Sequence, residues 1–288
     1  MKFFADTADL EEIRYCFNRG VDDGITTNPK IMESTGDLSL GFEGACKSIV
    51  DKYSSFPVSL ETDLRGIEVS KIDSLYSNVR DTLLEQADSL MEIGTNVVVK
   101  IPICKGGLEA TANLTKRGIK TNVTACMTPY QALEAAKAGA TYVSLFANRM
   151  LDSKILTMAG HPLGVIKTNP NWKDLLNENK ERYFEQAWGE VITDIAYVAK
   201  ELDGTESNLI VGSIRSPEDI YRIVKAEPQV ITIPTKIVRG LEDIPQIKEN
   251  KRISFDFNEI ELGNSLYHPM TEYTLKEFEK AADSYRKS

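Results

Sequence analysis

A lysine ends one of the most apolar runs of the 288-residue chain. In the stretch NVVVKIP, residues 96–102, the β-branched Val97, Val98 and Val99 lead directly into Lys100. Such a run is typical of a parallel strand buried on both faces. Removing an ammonium group from water costs roughly several kcal/mol. Two interpretations follow: Lys100 reaches water from a strand end, or it is kept partly desolvated as a neutral nucleophile.

Polar side chains also follow the other apolar runs of the sequence. Those at or just beyond the ends of the runs are Asp6, Thr26, Thr27, Asn28, Glu61, Lys100, Asn122, Thr124, Ser144, Arg149, Ser213 and Arg215. Taken singly, several have an ordinary structural explanation, since Asp6 can cap a helix and Asn28 before Pro29 can form a turn. Their joint occurrence around a lysine favours a catalytic site instead.

Four of these residues suit carbon–carbon bond chemistry. The amine of Lys100 can attack a ketone and form a Schiff base, which accepts electrons when a carbon–carbon bond breaks. Asp6 is a carboxylate suited to moving protons on a substrate hydroxyl. Glu61 and Thr124 could hold a water molecule that shuttles protons while the imine forms.

The remaining residues suit the binding of a phosphorylated sugar. Neutral donors and acceptors for sugar hydroxyls are Asn28, Asn122 and Ser144. Arginine binds phosphate with two parallel hydrogen bonds, and the loop after strand seven is a frequent phosphate site in barrels. The residues of the predicted phosphate clamp are therefore Arg149, Ser213 and Arg215.

These residues require elements that bring strand ends together. Apolar runs predict strands at residues 2–6, 22–26, 57–61, 96–101, 119–124, 141–146, 208–213 and 229–233. Amphipathic segments separate them, including residues 66–92 and 128–140. Eight strands alternating with helices predict an α/β fold, the (β/α)8 barrel, whose active sites lie at the carboxyl ends of the strands. The competing fold is a doubly wound open sheet, but no G-x-G-x-x-G follows the first strand.

Two segments extend this plan. Residues 147–207 are too long for one crossover helix, which predicts an insertion at about 153–200 between strands six and seven, on the loop face. Residues 271–286 form a separate amphipathic pattern, which predicts a C-terminal helix packed across the barrel or against a neighbour. We expect a single barrel domain over residues 1–288.

Composition narrows the class of protein. A net charge of −9 argues against a nucleic-acid partner. The four cysteines form no C-x-x-C pair and there are two histidines, which argues against a structural zinc site. The N-terminus lacks the apolar region of a signal peptide, and no apolar run reaches about 18 residues. The sequence therefore predicts a reduced, cytoplasmic enzyme with no membrane association.

Five motifs resemble those of the transaldolase family, in the order and spacing of that family. They are FADTADLEEI, DGITTNPKIM, NVVVKIP with a following GL, GIKTNVTACMTPYQALEAAKAGATYVSLFANRMLD and GSIRSP. The resemblance covers about residues 1–152 and 205–240. It implies a class I aldolase barrel that uses a Schiff-base lysine and needs no metal or organic cofactor.

The resemblance also implies a role for each matching residue. Lys100 would form the imine, Asp6 would be the acid and base, and Glu61 with Thr124 would hold the catalytic water. The residues implied for binding the dihydroxyacetone part of the substrate are Asn28, Asn122 and Ser144, together with Thr27, which precedes Asn28. Those implied for binding the phosphate are Arg149, Ser213 and Arg215. We expect burial and nearby cations to favour the neutral amine of Lys100. Substrates would be phosphorylated sugars of the pentose phosphate pathway, and we expect a homo-oligomer.

Two positions bear on the type of reaction. Fructose 6-phosphate aldolases in the family resemble a pattern with Gln where this chain has Glu61, and Tyr where it has Phe146. Glu61 and Phe146 match the transferase pattern, which predicts a transaldolase. The alternative is an aldolase that releases free dihydroxyacetone.

Departures from the family leave further alternatives open. Lys30 stands where members commonly have Ser, and the insertion contains His161, which we interpret as a surface or core residue rather than a substrate ligand. A sulfonated sugar could replace a phosphorylated one. An inactive barrel that serves as a binding protein is disfavoured by the intact set of Lys100, Asp6 and Glu61. A further alternative is a decarboxylase or a metal-dependent barrel enzyme, and the absence of a cluster of His and carboxylate ligands disfavours the metal-dependent version.

Overall fold

The apolar runs form the eight strands of a closed parallel barrel. In the computed structural model, which describes residues 1–248, 254–257, 260 and 262–286, the strands pair in chain order and β8 closes onto β1. The strands are β1 (Lys2–Asp6), β2 (Gly24–Thr26), β3 (Val58–Glu61), β4 (Val97–Pro102), β5 (Thr121–Cys126), β6 (Tyr142–Phe146), β7 (Asn208–Gly212) and β8 (Val230–Ile233). The predicted (β/α)8 barrel is confirmed, and every strand end lies within two residues of the predicted one.

Helices follow the strands and cover the outside of the barrel. They are α1 (Leu10–Asn18), α2 (Pro29–Thr35), α3 (Gly41–Lys52), α4 (Tyr76–Ile93), α5 (Lys105–Lys116), α6 (Pro129–Lys137), α7 (Ala147–Met158), α8 (Val165–Thr168), α9 (Trp172–Glu201), α10 (Pro217–Ile223), α11 (Thr235–Val238), α12 (Ile244–Lys248) and α13 (Pro269–Arg286). Local signals start several of them: the side chains of Asp9, Asn28 and Thr128 accept hydrogen bonds from the first turns of α1, α2 and α6. Ser216 forms a capping box with Asp219 at the start of α10.

The register of the strands decides which side chains meet inside the barrel. Glu61 on β3 is paired with Lys100 on β4, and Lys100 is paired with Asn122 on β5. All six residues of β4 and of β5 are buried, because helices cover the outer face and the barrel interior covers the inner one. A carboxylate, an amine and an amide therefore lie side by side in one row across three strands.

The helix predicted over residues 66–92 is only partly present. Its regular part is α4, which begins at Tyr76, and residues Val69–Lys71 form a separate 3-10 turn. The Ser70 hydroxyl donates to the Glu68 carboxylate, and the Ser74 hydroxyl donates to the Lys71 carbonyl. Such local bonds compete with the helical pattern, so the prediction was wrong for the first third of the segment.

The segment between β6 and β7 contains three helices, α7, α8 and α9. The second half of α9 is buried, with Trp188, Val191 and Ile195 at most 1% exposed. The first half is largely exposed apart from Trp172 and Leu176. The predicted insertion at 153–200 thus begins inside α7 and ends inside α9, so its boundaries do not separate it from the helices that cover the barrel.

Helix α13 lies across the carboxyl ends of the strands. The Thr271 hydroxyl donates to the carbonyl of Ala125 on β5 at 2.9 Å. Near the other end of α13, Arg286 donates to Asp63, just beyond β3, at 3.1 Å. The predicted C-terminal helix is present and begins two residues earlier than expected. It forms a roof over the end of the barrel where the polar strand-end residues lie.

Within the described ranges, every helix is too short or too polar to span a lipid bilayer.

Candidate active site

Lys100 is buried inside the barrel mouth and does not extend into bulk water. The residue is 4% exposed. Its Nζ donates to the carbonyl of Thr27 at 3.0 Å and lies 2.9 Å from Oε2 of Glu61. The register of β3 places this carboxylate beside the amine, while the cations Lys30 and Arg149 line the same cavity. Lys100 is thus a desolvated lysine in direct contact with a proton acceptor.

Burial changes the acidity of the two carboxyl groups around Lys100. Desolvation raises the pKa of Glu61 to about 7, although the charge and hydrogen bond of Lys100 oppose the rise. Desolvation also raises the pKa of Asp6, while the charge of Lys100 and a hydrogen bond from Thr26 act in the opposite direction. A carboxyl with a pKa near 7 can both take and return a proton at neutral pH.

Two threonines hold these groups in place. The Thr26 hydroxyl donates to Oδ1 of Asp6 at 2.8 Å and fixes its carboxylate. The Thr27 hydroxyl donates to the carbonyl of Ser59. Thr27 was predicted to bind substrate, but its side chain is turned to the barrel wall, and its carbonyl is the group that reaches Lys100.

Thr124 carries a buried hydroxyl without a hydrogen-bond partner among the described residues. Thr124 is two residues after Asn122 on β5, and side chains two apart on a strand are on the same face. A buried, unpaired hydroxyl is a natural site for a bound water molecule or a substrate group.

A chain of neutral polar groups crosses the barrel from β3 to β6. The amide nitrogen of Asn122 donates to the Ser59 hydroxyl at 3.2 Å, and the Ser144 hydroxyl donates to the Asn122 amide oxygen at 2.7 Å. These bonds fix the orientation of the Asn122 amide. Asn28 is fixed differently, since its side-chain oxygen caps α2 by accepting from Ile31 N at 2.9 Å.

A cavity of about 190 Å³ opens above these residues. Ten of the residues singled out from the sequence line it: Asp6, Thr26, Asn28, Lys30, Lys100, Asn122, Ser144, Phe146, Arg149 and Ser213. Thr27, Glu61, Thr124 and Arg215 do not line it. Glu61 acts on the cavity only through its contact with Lys100, and His161 is not part of the lining either.

The predicted phosphate clamp is only partly assembled. Arg149 and Ser213 line the cavity, and Ser213 adopts a left-handed backbone (φ 63°) that turns the chain directly after β7. The Asn148 amide holds that turn by donating to the Ser213 carbonyl at 2.9 Å and to Asp219 at 2.6 Å. Arg215, in contrast, donates to both carboxylate oxygens of Asp152, at 2.8 and 2.6 Å.

The comparison with known proteins agrees with this geometry. Residues 3–288 match the family model described as Transaldolase/Fructose-6-phosphate aldolase. Three curated relatives, each named "Probable transaldolase", come from Clostridium tetani (33% identical, covering 82% of this chain and 88% of the relative), Geotalea daltonii (34%, 85% and 92%) and Bdellovibrio bacteriovorus (30%, 89% and 96%). The chain belongs to the transaldolase/fructose-6-phosphate aldolase family.

A solved structure described as "Native KDPGal structure" covers all of this chain and 97% of its own, at 13% identity and a TM-score of 0.45, and that likeness is too low to support an argument.

Some residues that line the cavity lie outside the sequence motifs. Phe278 of α13 lines it, and the neighbouring Glu277 is paired with Arg149 at 2.8 Å. Neither residue lies in a motif, and only the folding of α13 over the barrel brings them there. Lys30 also lines the cavity; its signal in the sequence was the departure from the usual Ser. The described part of the chain contains no group of three or more His, Cys, Asp or Glu residues suited to a metal ion.

Proposed function

We propose that the protein is a transaldolase that moves a dihydroxyacetone unit from a ketose phosphate to an aldose phosphate through a Schiff base on Lys100. The observation that carries the proposal is the buried Lys100 at the cavity, 2.9 Å from a glutamate whose pKa is about 7. Such a pair can deprotonate the amine and then supply a proton to a leaving hydroxyl.

Imine formation uses Lys100 and Glu61. Glu61 takes a proton from the ammonium of Lys100, and the free amine adds to the C2 carbonyl of the ketose to give a carbinolamine. The carbinolamine hydroxyl leaves as water with a proton returned from Glu61, and a protonated imine remains. The unpaired Thr124 hydroxyl would bind that water.

Bond cleavage uses Asp6. Its carboxylate takes the proton of the C4 hydroxyl, the C3–C4 electron pair moves toward the positively charged imine nitrogen, and an aldose phosphate leaves with a new carbonyl. The enamine that remains on Lys100 attacks the carbonyl of the acceptor, which takes the proton back from Asp6. Water then hydrolyses the new imine and frees Lys100.

Phe146 favours transfer over release. Its ring lines the cavity and lies 6.4 Å, centroid to centroid, from the ring of Phe278. An aromatic wall without a hydroxyl offers no proton to the enamine. The enamine therefore persists until an acceptor aldehyde arrives, and the net reaction is a transfer.

Trapping with borohydride tests the covalent step. Incubation with fructose 6-phosphate and borohydride is expected to add one reduced dihydroxyacetone unit to Lys100, as located by mass spectrometry. Lys100→Arg is expected to abolish both adduct and turnover, because arginine stays protonated. Lys105→Arg, at the exposed start of α5, is the matched control and is expected to keep both. An adduct on another lysine, or none, would refute the assignment.

A coupled assay tests the type of reaction. Fructose 6-phosphate supplied with erythrose 4-phosphate is expected to give rapid transfer, and without an acceptor to give little free dihydroxyacetone. Release as fast as transfer would replace the transaldolase proposal by the aldolase alternative.

A further inference from the structure

An ion cluster joins α13 to the edge of the cavity. Glu277 accepts a hydrogen bond from Arg149 at 2.8 Å and from the Tyr273 hydroxyl at 3.1 Å, and its other charged neighbour is the ammonium of Lys30 at 3.6 Å. Arg149 and Lys30 come from α7 and α2, which are far apart in the sequence. One carboxylate on the C-terminal helix is thus shared by two cations from the barrel.

This cluster lies at the boundary between two cavities. Arg149 lines the inner cavity that contains Lys100, and Glu277 lines an outer groove of about 600 Å³ along α13. Lys30 lines both. The charges of the cluster therefore adjoin both cavities.

The position of Lys30 is not explained by helix stability. Lys30 is the second residue of α2, after the N-cap Asn28 and Pro29. A cation in the first turn opposes the helix dipole, and more than half of the Lys30 side chain is exposed (56%), so its ion pair with Glu277 contributes little stability. A pair of this kind can exchange partners at small cost.

The guanidinium of Arg215 is paired with a carboxylate. Both terminal nitrogens of its guanidinium are bound to Asp152, and the residue does not line the inner cavity. Lys30 and Arg149 are the cations that do line it, apart from Lys100 itself. Two cations around one exchangeable carboxylate match the charge of a sugar's terminal oxyanion.

We propose that Lys30 is a specificity-determining residue: together with Arg149 it binds the terminal anion of the sugar, which replaces Glu277 as their counter-ion. The proposal rests on the proposed transaldolase function and names the site for the anionic end of its substrates. Without substrate, Glu277 is the counter-ion of both Lys30 and Arg149. Its pKa is lowered, since the hydrogen bond and charge of Arg149 and the charge of Lys30 outweigh the opposing effect of burial, so it is ionised at neutral pH.

The first experiment compares Lys30→Met and Lys30→Arg with a matched control. Lys47→Met removes an exposed lysine of similar exposure from α3, away from the cavity lining. For Lys30→Met we expect the KM for fructose 6-phosphate to rise about five- to tenfold with kcat nearly unchanged. The KM for unphosphorylated fructose is expected to stay the same. In Lys30→Arg, the KM for fructose 6-phosphate is expected to return to that of the unmutated protein. An equal effect on both sugars, or no effect on the phosphorylated one, overturns the proposal.

The second experiment tests the exchange of Glu277. Glu277→Gln removes the charge that competes with the substrate's anion for Lys30 and Arg149, and is expected to lower the KM for fructose 6-phosphate two- to threefold. The same substitution is expected to change this KM less when Lys30 is already replaced by Met. A higher KM in Glu277→Gln would show that the carboxylate orients Arg149 instead, and would overturn the exchange. Thermal unfolding by circular dichroism checks that each variant is folded.

Trapping at Lys100 separates this proposal from the proposed function. An adduct that forms normally in the unmutated protein, together with an unchanged KM for fructose 6-phosphate in Lys30→Met, refutes only the role of Lys30. The absence of an adduct from the unmutated protein refutes the transaldolase function itself.

Discussion

Two lysine–glutamate pairs lie at different depths of the same barrel mouth. Lys100 and Glu61 are 2.9 Å apart, with side chains that are 5% and 2% exposed. Lys30 and Glu277 are 3.6 Å apart, with side chains that are 56% and 27% exposed. The same two residue types thus meet once in the interior and once at the rim.

Burial gives the two pairs different properties. In the interior, a charge that loses its partner cannot be compensated by water, so breaking the pair of Lys100 and Glu61 is costly. At the rim, water screens the charges and the ion pair is worth little. The inner pair suits proton transfer, and the outer pair suits exchange with a charged substrate.

The largest contrast is expected when each lysine is replaced by methionine. Lys100→Met leaves two buried carboxyl groups without their cation and is expected to lower the free energy of unfolding by about 3–5 kcal/mol at pH 8. Lys30→Met is expected to cost less than about 1 kcal/mol. Urea unfolding under identical conditions measures both. Equal losses would show that burial does not distinguish the pairs.

The inner pair is also expected to make stability depend on pH. The pKa of Glu61 is raised from 4.5 to about 7 in the folded protein, so its neutral form is the one that the fold favours. Its contribution is present below about pH 4.5 and is lost as the pH rises through 7, which is worth up to about 3 kcal/mol. Urea unfolding at pH 5 and pH 8 should show this loss in the unmutated protein and not in Glu61→Gln. A loss between pH 5 and pH 8 that is as large in Glu61→Gln as in the unmutated protein would contradict the assignment.

Two arginines sharpen the contrast at the rim. Arg149→Ala is expected to weaken binding of phosphorylated ketoses by about 1.5–3 kcal/mol, the scale of a charge-assisted hydrogen bond, measured as a higher KM. Arg215→Ala is expected to change that KM less and to lower the melting temperature, because Asp152, with a side chain only 7% exposed, loses its partner. A KM effect of Arg215→Ala as large as that of Arg149→Ala would restore the clamp predicted from the sequence.

The smallest effect is expected at Phe146, which lines the inner cavity. Phe146→Tyr adds a hydroxyl that can relay a proton to the enamine, and release of free dihydroxyacetone without acceptor is expected to rise about fivefold. This is a small part of the 10²–10⁴-fold that well-placed acid–base groups typically contribute. Phe278→Tyr, on the facing ring, is the matched comparison. Unchanged release in Phe146→Tyr would mean that this position does not control the fate of the enamine.

The sequence by itself determined the elements and the identity of the central lysine. Strand and helix patterns depend on residues a few positions apart, so the eight strands could be identified without a structure. Lys100 stood out because an ammonium is costly in an apolar run. The predicted helix at 66–92 failed where serine side chains formed local hydrogen bonds that the apolar pattern does not show.

Only the tertiary structure decided the partners of the charged residues. Closure of the barrel and the register of β3 against β4 placed Glu61 beside Lys100. The folding of α13 over the strand ends brought Glu277 to Arg149, and the pairing of Arg215 with Asp152 turned it away from the cavity. These contacts join residues far apart in the chain, and several partners of the right charge compete for each arginine. Three-dimensional proximity selects among them, and it is not encoded in any local pattern of the sequence.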